Sequence, residues 1–565
     1  MLKPIKIINR QSLDAIDEPS IFPLEEVSGN IVDIINRRVY SGKLIINNGA
    51  IKNIIEDKTD SDLFIIPPLI DAHVHIESSM LTPTAFAQMA LAHGVIASVS
   101  DPHEIANVMG IAGIKYMVDE GANLPFKFYF GAPSCVPATP METSGASITA
   151  DDIELLFREQ NLHYLSEVMN FPGVINEDPE IMRKIAIAKS YGKKIDGHAP
   201  GLRGKDLDLY LQAGISTDHE TINYEEGREK LKKGMKLMIR EGSAAKNLDE
   251  LAPLINEFPD FCMFCSDDMH PDDLEKGYIN KMVKRLLFSG YEIMTLLRCA
   301  SLNPARHYNI DMGFLQKNDR ADFVIIDNLK NFNVICTVAA GEAIAVNGKC
   351  LMPVADIKHI NNFHATPKKP EDFTVNAQGN VIRVIEAIDG QIYTGKSLIK
   401  PKVVKGMAVS DIERDILKIS LISRYHDKPP VTGFIKNFGL TKGAIASSVS
   451  HDSHNIIAVG STDAEIATAA NEVIRHKGGL TVSADGKCEV LPLPVAGLMS
   501  DKDGLYVAQK YTELDEMAKK LGSKLSAPFM TLSFMGLTVI PDLKISDRGL
   551  FDFKAFDYVP LFEDA

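Results

Sequence analysis

Between residues 63 and 305, short apolar runs alternate with stretches whose apolar residues recur at helical spacing. The runs Phe64–Leu69, Val95–Val99, Phe126–Phe130, Tyr164–Met169, Lys194–Asp196, Gly214–Thr217, Leu237–Ile239 and Phe261–Cys265 predict strands. The segments between them predict helices over Pro83–Ala92, Ile105–Glu120, Ala150–Gln160, Pro179–Tyr191, Lys205–Ala213 and Leu248–Glu257. Strand–helix alternation repeated about eight times points to an α/β chain whose centre is a (β/α)8 TIM-type barrel. An open doubly wound sheet is the alternative, but no Gly-x-Gly-x-x-Gly turn follows the first strand.

The flanks follow another pattern. Ser28–Ile55 reads as short strands and turns, with Asn47-Asn48-Gly49 as a hairpin signal. Asp322–Asp327 and Ile344–Lys349 have the same character on the far side of the barrel. Both flanks together are expected to build a small β-sandwich domain. Residues 361–372 read as a linker, and beyond it strands mix with helices over Asp463–His476 and Leu514–Leu521. The expected domains are thus 1–65 and 306–365 for the small β domain, 66–305 for the barrel and 366–565 for a C-terminal α+β domain.

Composition narrows the classes. At 565 residues the chain exceeds what one core usually supports. A formal net charge of −15 disfavours nucleic acid and anionic membrane as partners, because phosphate attraction needs lysine and arginine patches. No apolar run is long enough for a membrane span. Met1–Arg10 breaks its apolar residues with charge, unlike a secretory leader. Seven scattered cysteines then read as reduced thiols of a cytoplasmic protein.

Chemistry collects at the predicted strand ends, where barrel active sites lie. His73 and His75 end the first strand, and side chains two apart on extended backbone point the same way. Asp101, His103 and Glu104 follow the second, Glu167 lies in the fourth, His198 follows the fifth, His219 and Glu220 the sixth, and Ser266, Asp267 and Asp268 the eighth. Four imidazoles and two carboxylates suit one or two divalent ions of the Zn, Mn or Fe type. Glu167 is placed to bridge two of them, and Asp267 to take a proton from the attacking water. The implied chemistry is metal-assisted hydrolysis at an sp² carbon. Plainer roles compete: a loop hydrogen bond for His198, an acidic turn for His219, a helix cap for Asp267 and Asp268, and an ordinary helix start for His103 and Glu104. Cys262 and Cys265 read as buried small residues of the eighth strand, Cys299 as a helix core position, and Glu225–Lys230 as a solvated helix face.

Longer stretches carry a resemblance. Ile70–Met80, Ser100–Glu104, Gly131–Pro140, Glu167–Gly173, Asp196–Gly201 and Ser266–Asp273 resemble the adenine deaminase family of the metal-dependent amidohydrolase superfamily, and Ser450–Asn455 resembles that family's C-terminal domain. The resemblance implies hydrolysis of adenine to hypoxanthine and ammonia in purine salvage, by a hydroxide bridging two divalent ions. Those ions are usually Mn or Fe, with Zn as an alternative. It implies His73, His75, Glu167, His198, His219 and Asp267 as ligands, with Glu167 where many superfamily members carry a carboxylated lysine. Glu104, His103, Asp101 and Glu220 are all candidates for the acid at the purine N1. Ser266, Asp268, His451 and His454 join Asp101 and His103 as candidate substrate contacts, the two later histidines reaching in from the C-terminal domain. A homo-oligomer is expected. Another purine, a pterin, or a non-catalytic purine-binding relative are the alternatives.

Overall fold

The structure, a computed structural model, describes residues 3–16, 20–353 and 356–563. Eight parallel strands form its centre: β1 Leu69–Val74, β2 Val95–Ser100, β3 Lys127–Ala132, β4 Tyr164–Val168, β5 Lys194–Gly197, β6 Thr217–Asp218, β7 Lys236–Arg240 and β8 Cys262–Cys265. The Ser216 N–H donates to Ile195 O at 3.0 Å, joining β5 to the start of β6. The Asp267 N–H donates to His73 O at 2.9 Å, and a parallel bridge between Val74 and Asp267 closes the ring. Strands β1, β2, β4 and β8 are buried along their whole length, as expected of parallel strands covered by helices. Cys262, Cys265 and Cys299 are all buried.

The first apolar run divides. Phe64–Ile66 pairs antiparallel with Phe323–Ile326 in the flanking sheet. Pro67 and Pro68, which have no N–H for a ladder, separate it from β1. His73 therefore lies inside the first barrel strand and His75 just beyond it. The helix expected over Ile105–Glu120 is two, α1 His103–Met109 and a second over Ile111–Gly121. Gly110 breaks them at φ 60°, ψ −144°, a conformation that side chains disfavour. The sixth strand keeps only Thr217–Asp218. The helix expected over Leu514–Leu521 spans Gly504–Lys520, capped by Asp503. It begins ten residues earlier than expected, where Leu505 and Tyr506 face solvent and blur the apolar stripe. Helix α2, Tyr224–Lys232, is not simply solvated: Glu225 is exposed, but Glu226 and Lys230 are buried.

Both flanks contribute strands to one nine-stranded sheet. Phe22–Asp33 pairs antiparallel with Arg38–Asn47, and the turn to Ala50–Glu56 has positive φ at Asn48 and Gly49. The two ends of that long strand meet different neighbours, Asn30–Ile31 beside Phe64–Ile65 and Phe22–Pro23 beside Glu342–Ala343. The sheet thereby curls back on itself around Phe22, Ile31, Leu44, Phe323 and Val338. A second nine-stranded sheet lies in the C-terminal part, carrying the helix Asp463–His476. One apolar core runs from the barrel into this part. The expected linker is irregular but tethered: the His364 N–H donates to Arg424 O at 2.6 Å, and the buried Arg424 donates to Asn361 Oδ1 and Ala496 O, each at 2.8 Å. Among the described residues no helix is long and apolar enough to cross a membrane.

Gly110 ends α1, the helix that begins with His103 and Glu104, and starts the next. An added Cβ would strain the backbone and meet Ala146 Cβ at 3.1 Å. Gly110→Ala is expected to cost about 1–3 kcal/mol. Thermal melting checks this, and an unchanged midpoint would show that the break relaxes freely.

Candidate metal centre

Alternation along β1 puts Asp71, His73 and His75 on one side of the strand. Asp71 is the anchor below the histidines. It accepts from the His73 N–H at 3.0 Å, the Ser266 N–H at 3.1 Å, the Tyr278 hydroxyl at 2.5 Å and the Ser266 hydroxyl. Burial pushes its carboxyl up to about 6 against these bonds. They pin β1 to the end of β8 and take up the polar groups of Ser266.

Above Asp71 the ligand-type atoms converge. The Nε2 atoms of His73 and His75 lie 3.2 Å apart, and Asp267 Oδ1 is 3.5 Å and 3.2 Å from them. Glu167 Oε2 is 2.7 Å from His198 Nδ1 and 3.1 Å from His219 Nε2. Its Oε1 is 3.4 Å from both His75 Nε2 and His103 Nδ1. His73 stacks on His219 with centroids 4.0 Å apart. All are buried except His198, which is half-buried. The His75 Nδ1–H donates to Asp101 O at 3.2 Å, which leaves a neutral His75 with its Nε2 lone pair aimed at Asp267 and Glu167. Within this cluster His73, His75 and Asp267 could hold one cation, and His73, Glu167 and His219 another. Asp101 and His103 stand beside them, grouped with His75 and Glu167. Imidazole and carboxylate at such separations fit divalent transition metals.

The carboxylates are held as anions. Burial alone would raise Glu167, but the imidazoles of His198 and His219 bring it well below the usual range. Asp267 is also lowered well below its usual range: burial opposes this, and the Arg240 guanidinium is the strongest favourable influence. Arg240 ends β7 and was not foreseen. The apolar run that predicts the strand ends at Ile239, and a guanidinium is not a metal-ligating group. Its Nη2 donates to Glu220 Oε2 at 2.9 Å, and its Nη1 donates to Glu220 Oε1 and to Asp267 Oδ2. Glu220 is thereby occupied as a counter-ion. Asp268 turns aside to accept the Ser78 hydroxyl at 2.5 Å, and the next helix is capped at His270 rather than at either aspartate.

Glu104, at the start of α1, faces the C-terminal part. His451 Nδ1 meets its Oε1 and His454 Nε2 its Oε2. The Ser450 N–H donates to His454 Nδ1 at 3.3 Å, so the proton of a neutral His454 lies on Nε2 and is donated to Glu104. Burial opposes ionisation here, but His451 and His454 hold Glu104 well below the usual range. His451 is raised to about 9, burial being outweighed by Glu104 and Asp268, and Phe534 stacks on it with centroids 4.7 Å apart.

A family model for the amidohydrolase family matches residues 64–344, and one for the adenine deaminase C-terminal domain matches residues 391–557. The adenine deaminase of Methanosarcina mazei is 51% identical over 554 residues, covering 96% of this chain and 100% of that protein. That of Sulfurovum sp. is 51% identical over 535 residues, covering 94% and 99%. The chain belongs to the adenine deaminase family. Among solved structures, the N-acetyl-D-glucosamine-6-phosphate deacetylase of Mycobacterium smegmatis is 15% identical and covers 57% of this chain and 99% of its own, but its TM-score of 0.43 adds nothing to the strand order. In this adenine deaminase family member the two matched regions meet at the site, Glu104 from the first and His451 and His454 from the second.

Removing the Arg240 guanidinium would leave Glu220 and Asp267 buried without their partner. Arg240→Met is expected to destabilise the protein by about 3–5 kcal/mol, as breaking a buried pair does. Adding Glu220→Gln should restore part of the loss. Thermal melts of the parent, single and double variants read both effects, and a single variant as stable as the parent would show the ion pair to be dispensable.

Proposed function

We propose that the protein hydrolyses adenine to hypoxanthine and ammonia at a centre of two divalent cations. The observation that carries this is Glu167, a lone carboxylate in an apolar strand whose oxygens face His75, His198 and His219. The activity named for the relatives, each matched over at least 98% of its length by way of 94–96% of this chain, supports adenine as the substrate. His73, His75 and Asp267 would hold one ion, His198 and His219 the other, and Glu167 would join them. Bound there, divalent ions of the Mn or Fe type supply a water nucleophile at neutral pH.

The chain's own groups do the rest. Asp267, an anion fixed by Arg240 through Oδ2, keeps Oδ1 inward to accept the proton of the attacking water. The proton held between Glu104 and His451 is available to the purine N1, because His451 binds it up to about pH 9. Water adds at C6, the proton taken by Asp267 passes to the exocyclic amine, which leaves as ammonia, and the second water proton replaces the one given to N1, so one C–O bond forms and one C–N bond breaks without redox change. The C-terminal histidines roof the site and exclude bulk water. The small β sheet, barrel and C-terminal part serve as three domains close to the boundaries 65, 305 and 365.

Glu167→Gln removes the charge between the two sites. It is expected to purify with less bound metal than the parent after growth in Mn(II) and to lose about 10²-fold or more of adenine turnover, the scale of losing one charged catalytic group. Equal metal content by elemental analysis would contradict the joining role, and a metal-replete parent that leaves adenine intact would sink the activity itself.

Metal and protons compete for the same nitrogens. In the metal-free protein burial lowers His198 but Glu220 and Glu167 raise it to about 9. The ligand is the neutral imidazole, so apparent affinity for Mn(II) should rise as pH rises from 7 toward about 9. Calorimetric titration in buffers of different ionisation enthalpy should show protons released below that pH. No release at pH 7 would exclude His198 as a ligand.

A further inference from the structure

Lys230 is a fully buried ammonium on the inner face of α2. Its Nζ donates to Ala199 O at 2.7 Å, Asp218 Oδ2 at 3.0 Å and Glu226 Oε1 at 2.6 Å, with Thr221 Oγ1 a fourth neighbour at 3.2 Å. Ala199 follows His198, and Asp218 precedes His219. The bonds continue around the ammonium. Asp218 Oδ1 accepts the Ala199 N–H at 2.8 Å, Asp218 Oδ2 accepts the Thr221 hydroxyl at 2.6 Å, and Glu226 Oε1 accepts the Gly201 N–H at 2.9 Å. The loops after β5 and β6 are therefore fastened to one cation and to each other. The opposite sides of both histidines are fixed independently. The Tyr210 hydroxyl accepts the His198 N–H at 3.1 Å, and the Asn247 side chain donates to His219 O at 3.2 Å.

A buried lysine is expensive unless paired, and a helix surface has no need of one. Here the charge offsets two buried carboxylates and satisfies a carbonyl that a hydrophobic residue would leave without a donor. We propose that Lys230 is a positioning residue that sets the separation of His198 and His219 and, through it, the affinity for a divalent cation. The proposal rests on the reading of these histidines as ligands. Groups that orient ligands in this way typically change metal affinity or activity about 10–100-fold when lost.

The test uses the full-length protein stripped of metal, with Mn(II) as the probe in equilibrium dialysis. Lys230→Met combined with Glu226→Gln removes the cation and one of its two carboxylates. It is expected to keep the parent's circular dichroism while its Kd for Mn(II) rises about 10–100-fold. At saturating Mn(II), kcat for adenine should fall with KM unchanged, because Lys230 touches no substrate; a change in KM alone would point to a general loosening and overturn the proposal. A folded double variant with the parent's Kd overturns it as well. Should the double variant not fold, Glu226→Gln alone keeps the bond to Gly201 and should weaken Mn(II) binding in the same direction, so parental affinity there also overturns it. His219→Asn is run beside them. If His219→Asn weakens Mn(II) binding and the Lys230 variants do not, this proposal alone fails; if none of them does, the ligand reading beneath it fails.

Discussion

A carboxylate that cannot escape its burial organises this protein. Glu167 lies in a strand whose other side chains are buried, and a lone charge in that position is untenable unless positive or hydrogen-bonding groups surround it. The barrel supplies them from strands that are distant in sequence: His75 after β1, His103 after β2, His198 after β5 and His219 after β6. None of these contacts is local. Only a closed ring of parallel strands brings the four loops to one point, so the closure of β8 onto β1 and the fate of Glu167 are one requirement. Asp71 makes the link literal, binding the β1 backbone and the end of β8 directly beneath the histidines.

Much of this was legible in the sequence because parallel barrel strands are apolar throughout and ligand residues stand at their ends. The helix Pro83–Ala92 and the helix Asp463–His476 were read to the residue: the first has a proline at its start and is apolar almost all round, and the second has a capping threonine and one buried face. What escaped was of two kinds. Some elements are cut by one backbone position: Pro67-Pro68 split the first run and Gly110 split the second helix, and periodicity averages over such positions. Other features are charged residues whose partners lie far along the chain. Arg240 and Lys230 look like ordinary surface cations until folding puts Glu220, Asp267, Asp218 and Glu226 beside them. The placement of Glu104 between His451 and His454 spans some 350 positions and no local pattern encodes it, although the idea that those histidines reach the barrel came from the family resemblance.

The two cationic side chains divide the work of holding the rim. Arg240 acts on the side of β7 and β8, where its planar fork matches one carboxylate and reaches a second. Lys230 acts under β5 and β6, where a compact ammonium meets acceptors arriving from several directions, a carbonyl among them. Each geometry suits its cation, and neither would serve in the other's place.

Charge balance explains why the cluster is receptive to metal. Glu104, Glu167, Glu220 and Asp267 are all driven toward the anionic form, and among the described residues Arg240 is the one guanidinium bonded among them. The remaining positive charge must sit on imidazoles. Burial pushes these toward neutrality, yet the neighbouring carboxylates raise His75, His103, His198 and His451 above their ordinary range. Protons gathered in this way occupy the very nitrogens that a divalent ion would use. Divalent ions could take over that countercharge, while His451 is directed at Glu104 instead. The same anions thus raise the imidazoles on both sides of the barrel mouth, those facing Glu167 and the one facing Glu104.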